Sequence, residues 1–382
     1  MDRSTTTPQG VLEAAHGLAP TIAARAAEIE AGRRVPRDLL DELIGAGCFR
    51  VLLPPSHGGI GADLPSALRV FEALARADAS VGWTVMIGAG SWCDLTRLPR
   101  ASFDGLFAAG DGIFAGAINP TGSIAAADDG YRVTGRWGFA SGCEHADWLF
   151  ANSVEDIVDG VPHLRIAVFS PEQVVIEDTW TVSGLCGTGS HHFRADDVAV
   201  PAERTVAEDD EPCLDDPIVH ISPPALLSLS VASTAIGAAQ GSLDDVVAIA
   251  TDKVPLFAAG PLAVNPLFQH ELATADTELR AARAVLYEAA ETAWTTAVDG
   301  SPLALEDRAR IRAGAAWATE RAAAVVTTAY RAGGGSSVYA DCPLQRRLRD
   351  VYAVTQHFLV KRDTLTTAGA ILAGQDIQVP VF

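Results

Sequence analysis

Six polar side chains stand in apolar stretches of the sequence, where a hydroxyl or imidazole group could do chemistry. They are Ser141, His145, Ser190, His191, His192 and His357. An imidazole exchanges a proton near physiological pH, and a hydroxyl can hydrogen-bond a cofactor or substrate. The sequence has no GxSxG, HExxH, Walker or GxGxxG motif, so none of the chemistries tied to those motifs is indicated.

His357 ends the run RRLRDVYAVTQH, which we predict to be helical. On a helix, Arg349, Tyr352 and Gln356 share one face and His357 lies beside it. There the imidazole could take a proton from a phenol-like substrate or donate one to a peroxide. The alternative is a packed surface histidine without a catalytic role.

The stretch GRWGFASGCEHADW, from Gly135 to Trp148, combines aromatic, hydroxyl and small residues. Trp137 and Phe139 would line an apolar slot for a planar cofactor, and Ser141 would bring a hydroxyl close to it. This pattern suggests a flavin pocket. The alternative is an ordinary β-strand and tight turn, with both aromatic side chains on one core-facing side.

The glycine-rich run SGLCGTGSHH carries two adjacent histidines. Neighbouring side chains on a strand point to opposite faces, so His191 and His192 cannot both bind one metal in the usual geometry. We therefore predict no metal site. Two alternatives remain, a loop of amides and hydroxyls near a cofactor and a simple hairpin turn.

Three zones of the chain must position these residues, and we predict an α+β fold. Residues 1–110 form an N-terminal helical domain, 111–217 a central β domain and 218–382 a C-terminal four-helix bundle. Apolar spacing predicts helices at Pro36–Gly47, Leu64–Ala77, Phe268–Trp294, Leu305–Ala332 and about Pro343–Ala373. Short β-type runs occur at Tyr131–Val133, His163–Phe169 and Val198–Pro201.

The amino-acid composition limits the classes of molecule that the protein is expected to bind. The formal charge of −20 argues against nucleic acid and against an anionic membrane surface, and favours a small-molecule substrate. The six scattered cysteines and the lack of an apolar signal segment in MDRSTTTPQG predict a cytoplasmic protein. The uncharged segment Ile221–Leu243 is rich in serine and alanine, which favours a buried bundle helix over a membrane span.

Several separated segments resemble the acyl-CoA dehydrogenase superfamily, in the order that superfamily shows. They are LPPSHGGIGADLPSALRVFEALARADASVGW, INPTGSIAAADDGYRVTGRWGFASG, DTWTVSGLCGTGSHHFRADDVAVP, FQHELATADTELRAARAVLYEAA and GGGSSVYADCPLQRRLRDVYAVTQH. The dehydrogenases usually have a glutamate base in a YEGT-like segment after the final RD helix, and here the corresponding residues are TQHF. The chain is therefore more similar to the flavin-dependent monooxygenase branch, the oxygenase component of two-component systems.

The resemblance implies roles for particular residues. Ser141 and His357 match the serine and histidine that face each other across the flavin, holding the C4a-hydroperoxide and acting as base or hydrogen-bond donor. The other residues implied to surround reduced FMN or FAD are Asn119, Ser123, Trp137, Phe139, Ala140, Gly335 and Ser336. It also implies molecular oxygen, a separate flavin reductase and a homotetramer.

The expected activity is hydroxylation of a small organic substrate, with an aromatic or polyketide-like phenol as the first expectation. Alternatives that keep the fold are an acyl-CoA dehydrogenase, a flavin oxidase and an N-oxygenase of an amino-sugar. The remaining alternative is a non-catalytic oligomeric scaffold. The missing glutamate argues against the dehydrogenase, and the presence of Ser141 and His357 argues against the scaffold.

Overall fold

The computed structural model describes residues 7–108, 110–207 and 209–375. Residues 1–6, in the segment where we expect no signal peptide, lie outside the described residues. Residues 376–382, at the end of the third predicted domain, also lie outside them. Within the described residues the chain runs from helices through a sheet to helices, which confirms the α+β class.

Among residues 7–108, six helices form the N-terminal part. They are α1 (Pro8–Ala24), α2 (Ala26–Gly32), α3 (Arg37–Gly45), α4 (Leu64–Ala77), α5 (Ala79–Gly90) and α6 (Arg100–Phe107). The carboxylate of Asp63 accepts the Ser66 N–H and so caps α4. Asp78 does the same for α5, accepting from Ser80 and Val81 at 2.9 and 3.2 Å. The predicted helix Leu64–Ala77 is confirmed.

One seven-stranded sheet forms the middle of the chain. Its strands are β1 (Phe114–Ala127), β2 (Gly130–Ala140), β3 (Trp148–Val158), β4 (Val161–Phe169), β5 (Val175–Glu177), β6 (His191–Val200) and β7 (Thr205–Ala207). Their spatial order is β5-β6-β2-β1-β3-β4-β7, and β1 pairs with β3 in parallel while the other pairs are antiparallel. The β2–β6 register shifts between Trp137 and Ala140, next to the Ser141 stretch.

In the described part of the chain up to residue 375, five helices follow the sheet. They are α7 (Pro223–Asp252), α8 (Pro266–Val298), α9 (Leu305–Ala332), α10 (Pro343–Val354) and α11 (Asp363–Leu372). By length and composition α7 could cross a membrane, but most of it is buried inside the fold. Its small residues allow close packing: a Cβ at Gly237 would lie 2.3 Å from the carbonyl oxygen of Glu72 on α4.

The prediction of one helix over about Pro343–Ala373 is wrong. Helix α10 ends at Val354, a short 3-10 turn occupies Phe358–Val360, and α11 begins at Asp363. His357 lies in the break with extended backbone angles (φ −65°, ψ 130°), and its Nδ1 accepts the Leu359 N–H at 3.5 Å. The backbone therefore leaves the helix before His357, and this residue caps the next turn.

Candidate functional site

Trp83, in the middle of α5, joins the two residues predicted to be catalytic. Its indole N–H donates to Ser141 Oγ at 3.0 Å. Its ring meets the His357 imidazole edge-on, with 5.6 Å between the ring centroids. Trp83 and Ser141 are almost wholly buried, at 7% and 6% exposure. One indole therefore brings together a helix of the N-terminal domain, the end of β2 and the segment after α10.

A row of hydroxyl groups continues from Ser141 into the glycine-rich turn. Ser141 Oγ lies 2.7 Å from Ser190 Oγ, and Ser190 Oγ lies 2.7 Å from Thr188 Oγ1. Thr188 donates to the carbonyl oxygen of Leu185 at 2.8 Å. The turn is thus the structural support behind Ser141, and whether it lies beside a cofactor stays a prediction.

Burial sets the protonation state of His357. It lowers the pKa of this imidazole to about 4, and the nearby positive charges of Arg312 and Lys361 act in the same direction. The Arg312 guanidinium donates to the carbonyl oxygen of Leu359 at 3.4 Å, behind the histidine. His357 is therefore a neutral hydrogen-bonding group throughout the physiological pH range.

The predicted helix face beside His357 does not form part of this site. Arg349 donates to the carbonyl oxygen of Ser183 at 2.7 Å and pairs with Glu30 at 2.6 Å. The hydroxyl of Tyr352 lies 3.1 Å from that of Thr327. Because α10 ends before His357, the spacing that placed these side chains next to the imidazole does not apply.

Phe139 is the aromatic side chain that faces outward next to Ser141. It is 71% exposed and has a left-handed backbone conformation, with φ at 64°. Its ring meets Trp180 edge-on at 6.1 Å and lies 6.3 Å from the ring of His192. An exposed aromatic face beside a buried hydroxyl suits a planar ring that stacks and accepts or donates hydrogen bonds. The residues present therefore fit a flavin.

The prediction that Trp137 and Ala140 line this slot is wrong. Both have no exposed surface. Trp137 stacks on Phe193 at 5.3 Å inside the sheet core, and its indole N–H donates to the carbonyl oxygen of Asn152 at 2.8 Å. The register shift in β2 breaks the alternation, so Trp137 and Phe139 do not share a face as both interpretations of the sequence assumed.

The other predicted cofactor residues bond to partners other than Ser141 or are exposed. Asn119 and Ser123 are exposed on β1, where Ser123 donates to the carbonyl oxygen of Thr134 at 3.4 Å. Gly335 and Ser336 lie in the turn after α9, and Ser336 Oγ accepts from Lys253 Nζ at 3.0 Å. These contacts do not lead to the Trp83 pair, so the cofactor role of these four residues stays a prediction.

Among the candidate residues of the sequence analysis, three further histidines, His145, His191 and His192, do not contact Trp83 by the bonds described here. His191 is buried, and its Nδ1 accepts the N–H groups of Thr179 and Trp180 at 3.1 and 3.2 Å. His192 points the other way, towards Phe139. Burial lowers the pKa of His145 and of His192.

Sequence reasoning missed Trp83, Thr188 and Leu185 as parts of the site. Trp83 appeared only within the segment SVGW that carries the family resemblance. A tryptophan among small residues on an apolar helix is also typical of a core position, so its local pattern held no signal for a hydrogen bond to Ser141.

Family profiles match both helical parts of the chain. The profile described as acyl-CoA dehydrogenase, N-terminal domain, matches residues 11–97, and the acyl-CoA dehydrogenase, C-terminal domain, matches residues 229–362. Together with the fold and the flavin-fitting site, these matches show that the chain belongs to the acyl-CoA dehydrogenase family.

Relatives place the chain within the flavin-dependent monooxygenase branch of that family. It is 31% identical over 353 residues to the indole-3-acetate monooxygenase of Pseudomonas putida, covering 92% of this chain and 90% of the relative. It is 29% identical to the oxygenase component of the FADH2-dependent resorcinol hydroxylase of Rhizobium sp., covering 92% and 90%. The crystal structure of the 3-HSA hydroxylase from Rhodococcus sp. RHA1 superposes with a TM-score of 0.90 at 26% identity, covering 98% and 99%. The chain is an oxidoreductase of this monooxygenase branch, as the resemblance implied, and the dehydrogenase alternative is not favoured.

Proposed function

We propose that this chain hydroxylates an aromatic substrate, using reduced FMN or FAD delivered by a separate reductase and molecular oxygen. The observation that carries the proposal is the Trp83 indole, which contacts both Ser141 and His357. The similar proteins are named for indole-3-acetate, resorcinol and 3-HSA, which supports an aromatic substrate.

The flavin would lie against Phe139, with its reactive edge at Ser141. Bound reduced flavin supplies the two electrons with which dioxygen gives one oxygen atom to the substrate and one to water. The exposed ring of Phe139 stacks on the flavin, and Trp180 supports that ring from the side. Asn119 and Ser123 are proposed to lie along the cofactor's chain, and Gly335 and Ser336 at its phosphate end.

His357 would bind the reacting group of the substrate. Its imidazole is neutral at physiological pH, so it accepts a hydrogen bond from a substrate hydroxyl or N–H. A lowered pKa makes it a weaker base than an exposed histidine. We therefore propose that it orients the substrate and takes a proton only as the hydroxyl becomes more acidic during the reaction.

The protein's other task is to keep water from the reacting atoms. Trp83 fills the space between Ser141 and His357 with an indole, and Leu359 and Val360 are buried next to the histidine. An apolar enclosure with few hydrogen-bonding groups favours transfer of oxygen to substrate over its release as peroxide.

The test is the coupling of flavin oxidation to product. In Ser141→Ala we expect the fraction of reduced flavin that ends as hydrogen peroxide to rise severalfold, because the flavin edge loses its one hydrogen-bond partner here. Ser233→Ala is the matched control, since Ser233 is a buried serine that donates to a carbonyl oxygen within α7. Equal coupling in wild type and Ser141→Ala would contradict the proposed contact.

We further propose that the protein is a cytoplasmic homotetramer. All six cysteines are free thiols, which supports a reducing compartment. Ala273, Ala281 and Ala284 are exposed on α8, and these small side chains support close packing between copies.

A further inference from the structure

Three buried hydroxyl groups, those of Ser141, Ser190 and Thr188, form a row behind the proposed flavin face. Their exposures are 6%, 2% and 1%. At each end of the row lies a group that can take only one part in a hydrogen bond, either as donor or as acceptor. The indole N–H of Trp83 can only donate a hydrogen bond, and the carbonyl oxygen of Leu185 can only accept one.

These ends determine the direction of every bond between them, because each hydroxyl has a single proton. Thr188 gives its proton to the carbonyl oxygen of Leu185, so it must accept from Ser190. Ser190 has then used its proton and must accept from Ser141. Ser141 therefore donates to Ser190 and accepts from Trp83. Any other arrangement leaves two oxygen atoms of this row only 2.7 or 2.8 Å apart without a proton between them, which is repulsive in these buried surroundings.

The proton of Ser141 is thus directed away from the flavin face. What its oxygen offers to a ligand is one remaining lone pair, so the ligand atom at this position has to carry a hydrogen. N5 of a reduced flavin carries a hydrogen. N5 of an oxidised flavin does not, and presents a lone pair of its own.

We infer that Ser190 and Thr188 are positioning residues that hold the Ser141 hydroxyl as a hydrogen-bond acceptor, so that the site selects reduced over oxidised flavin. The inference rests on the proposed function, because it takes Ser141 to contact the reactive edge of the flavin. It also gives a reason why oxidised flavin leaves the site. After oxidation, N5 of the flavin and the Ser141 oxygen are both hydrogen-bond acceptors, so the hydrogen bond between them is lost.

The test is the ratio of two dissociation constants, Kd for oxidised FAD divided by Kd for FAD reduced anaerobically with dithionite, each titrated into the intact protein. Ser190→Ala frees the Ser141 proton to turn towards an oxidised flavin, and we expect the ratio to fall about tenfold. Thr188→Val should lower it too, because Ser190 can then donate to Ser141. General loosening of the site would weaken both redox states alike and leave the ratio unchanged.

Conservative variants and distant controls separate the hydroxyl direction from packing. Ser190→Thr and Thr188→Ser keep both hydroxyls and should keep the ratio of wild type. Ser233→Ala and Thr319→Val remove buried hydroxyls elsewhere and should also keep it. The inference is overturned by unchanged ratios in both Ser190→Ala and Thr188→Val while Ser141→Ala weakens binding of reduced FAD. If Ser141→Ala leaves both constants unchanged, the proposed contact itself is wrong.

Discussion

His357 combines a position against the Trp83 ring with a lowered pKa. Burial, Arg312 and Lys361 lower its pKa from 6.5 to about 4, so the imidazole is neutral at physiological pH. A lowered histidine pKa means that the unfolded chain takes up the proton first. The histidine therefore lowers the stability of the fold as the pH falls from about 6.5 towards 4.

We predict that kcat/KM for hydroxylation stays level from about pH 8 down to about pH 5, because His357 does not change charge in that range. His357→Gln should lower the rate roughly a hundredfold at every pH, since an amide can accept a hydrogen bond from the substrate but cannot take its proton. His163→Gln changes an exposed histidine and serves as the control. An acid limb near pH 6.5 that disappears in His357→Gln would show that the imidazole is not neutral.

Trp83 contacts Ser141 through its N–H group and His357 through its ring. In Trp83→Phe the hydrogen bond to Ser141 is lost while an aromatic ring remains. We predict increased release of peroxide and a loss of about 1–3 kcal/mol in the free energy of unfolding, because Ser141 loses a buried hydrogen bond and the smaller ring leaves a space. Trp92→Phe is the matched control: Trp92 is equally buried, and among the described residues its indole nitrogen makes no hydrogen bond. The same coupling in both variants would show that the Trp83 N–H is not needed.

At the scale of elements, three segments meet at a pair of buried carboxyl groups. Asp78 caps α5, which carries Trp83, and lies 3.9 Å from the Arg346 guanidinium. Asp350 on α10 accepts the N–H of Leu185 at 2.7 Å, at the start of the turn that holds Thr188. The pair therefore ties α5, α10 and the glycine-rich turn together behind the site.

Burial raises the pKa of Asp350, and the Asp78 carboxylate raises it further, against the weaker opposite effect of Arg346 and Arg349. A raised carboxyl pKa stabilises the fold at low pH, and this contribution is lost as the pH rises through the folded pKa. We predict that Asp350→Asn, whose amide oxygen can still accept from Leu185, raises the melting temperature at about pH 8 but not at about pH 4. Differential scanning calorimetry measures both. A lower melting temperature at the higher pH would mean that the charged pair with the arginines outweighs the burial cost.

Much of the fold could be predicted from the sequence because helices depend on local spacing. The expected bounds Leu64–Ala77 and Leu305–Ala332 are those of α4 and α9. The directions in which the site side chains point could not be predicted, because single deviations of the backbone determine them. One register shift in β2 sends Trp137 into the core and Phe139 outward, and one break after Val354 takes His357 off the helix. The contact of Trp83 with Ser141 could not be predicted either, because it joins residues that are far apart in the sequence.

At the scale of the molecule, α4 of the N-terminal part is held by two helices of the C-terminal part. Glu72 on α4 accepts from Arg283 Nε and from the Tyr287 hydroxyl on α8, each at 2.8 Å. Gly237 on α7 lies directly against the α4 backbone, so the two helices touch without a side chain between them. Since α5 continues from α4 and carries Trp83, this interface also fixes how the site is closed.

We predict that Gly237→Ala destabilises the protein by about 1–3 kcal/mol, because the new Cβ would lie 2.3 Å from the Glu72 carbonyl oxygen and 2.8 Å from Ala75 Cβ, and the helices must separate. Gly17→Ala is the matched control: the same change on α1 meets no atom within 4 Å and should stabilise the helix by up to about 1 kcal/mol. Urea unfolding followed by circular dichroism gives both values. Because α4 is bound to both α7 and α8, we expect Gly237→Ala to move one cooperative transition to lower urea rather than to split it. A second transition, with the bundle unfolding where it does in wild type, would instead show that the N-terminal helices unfold independently of the bundle.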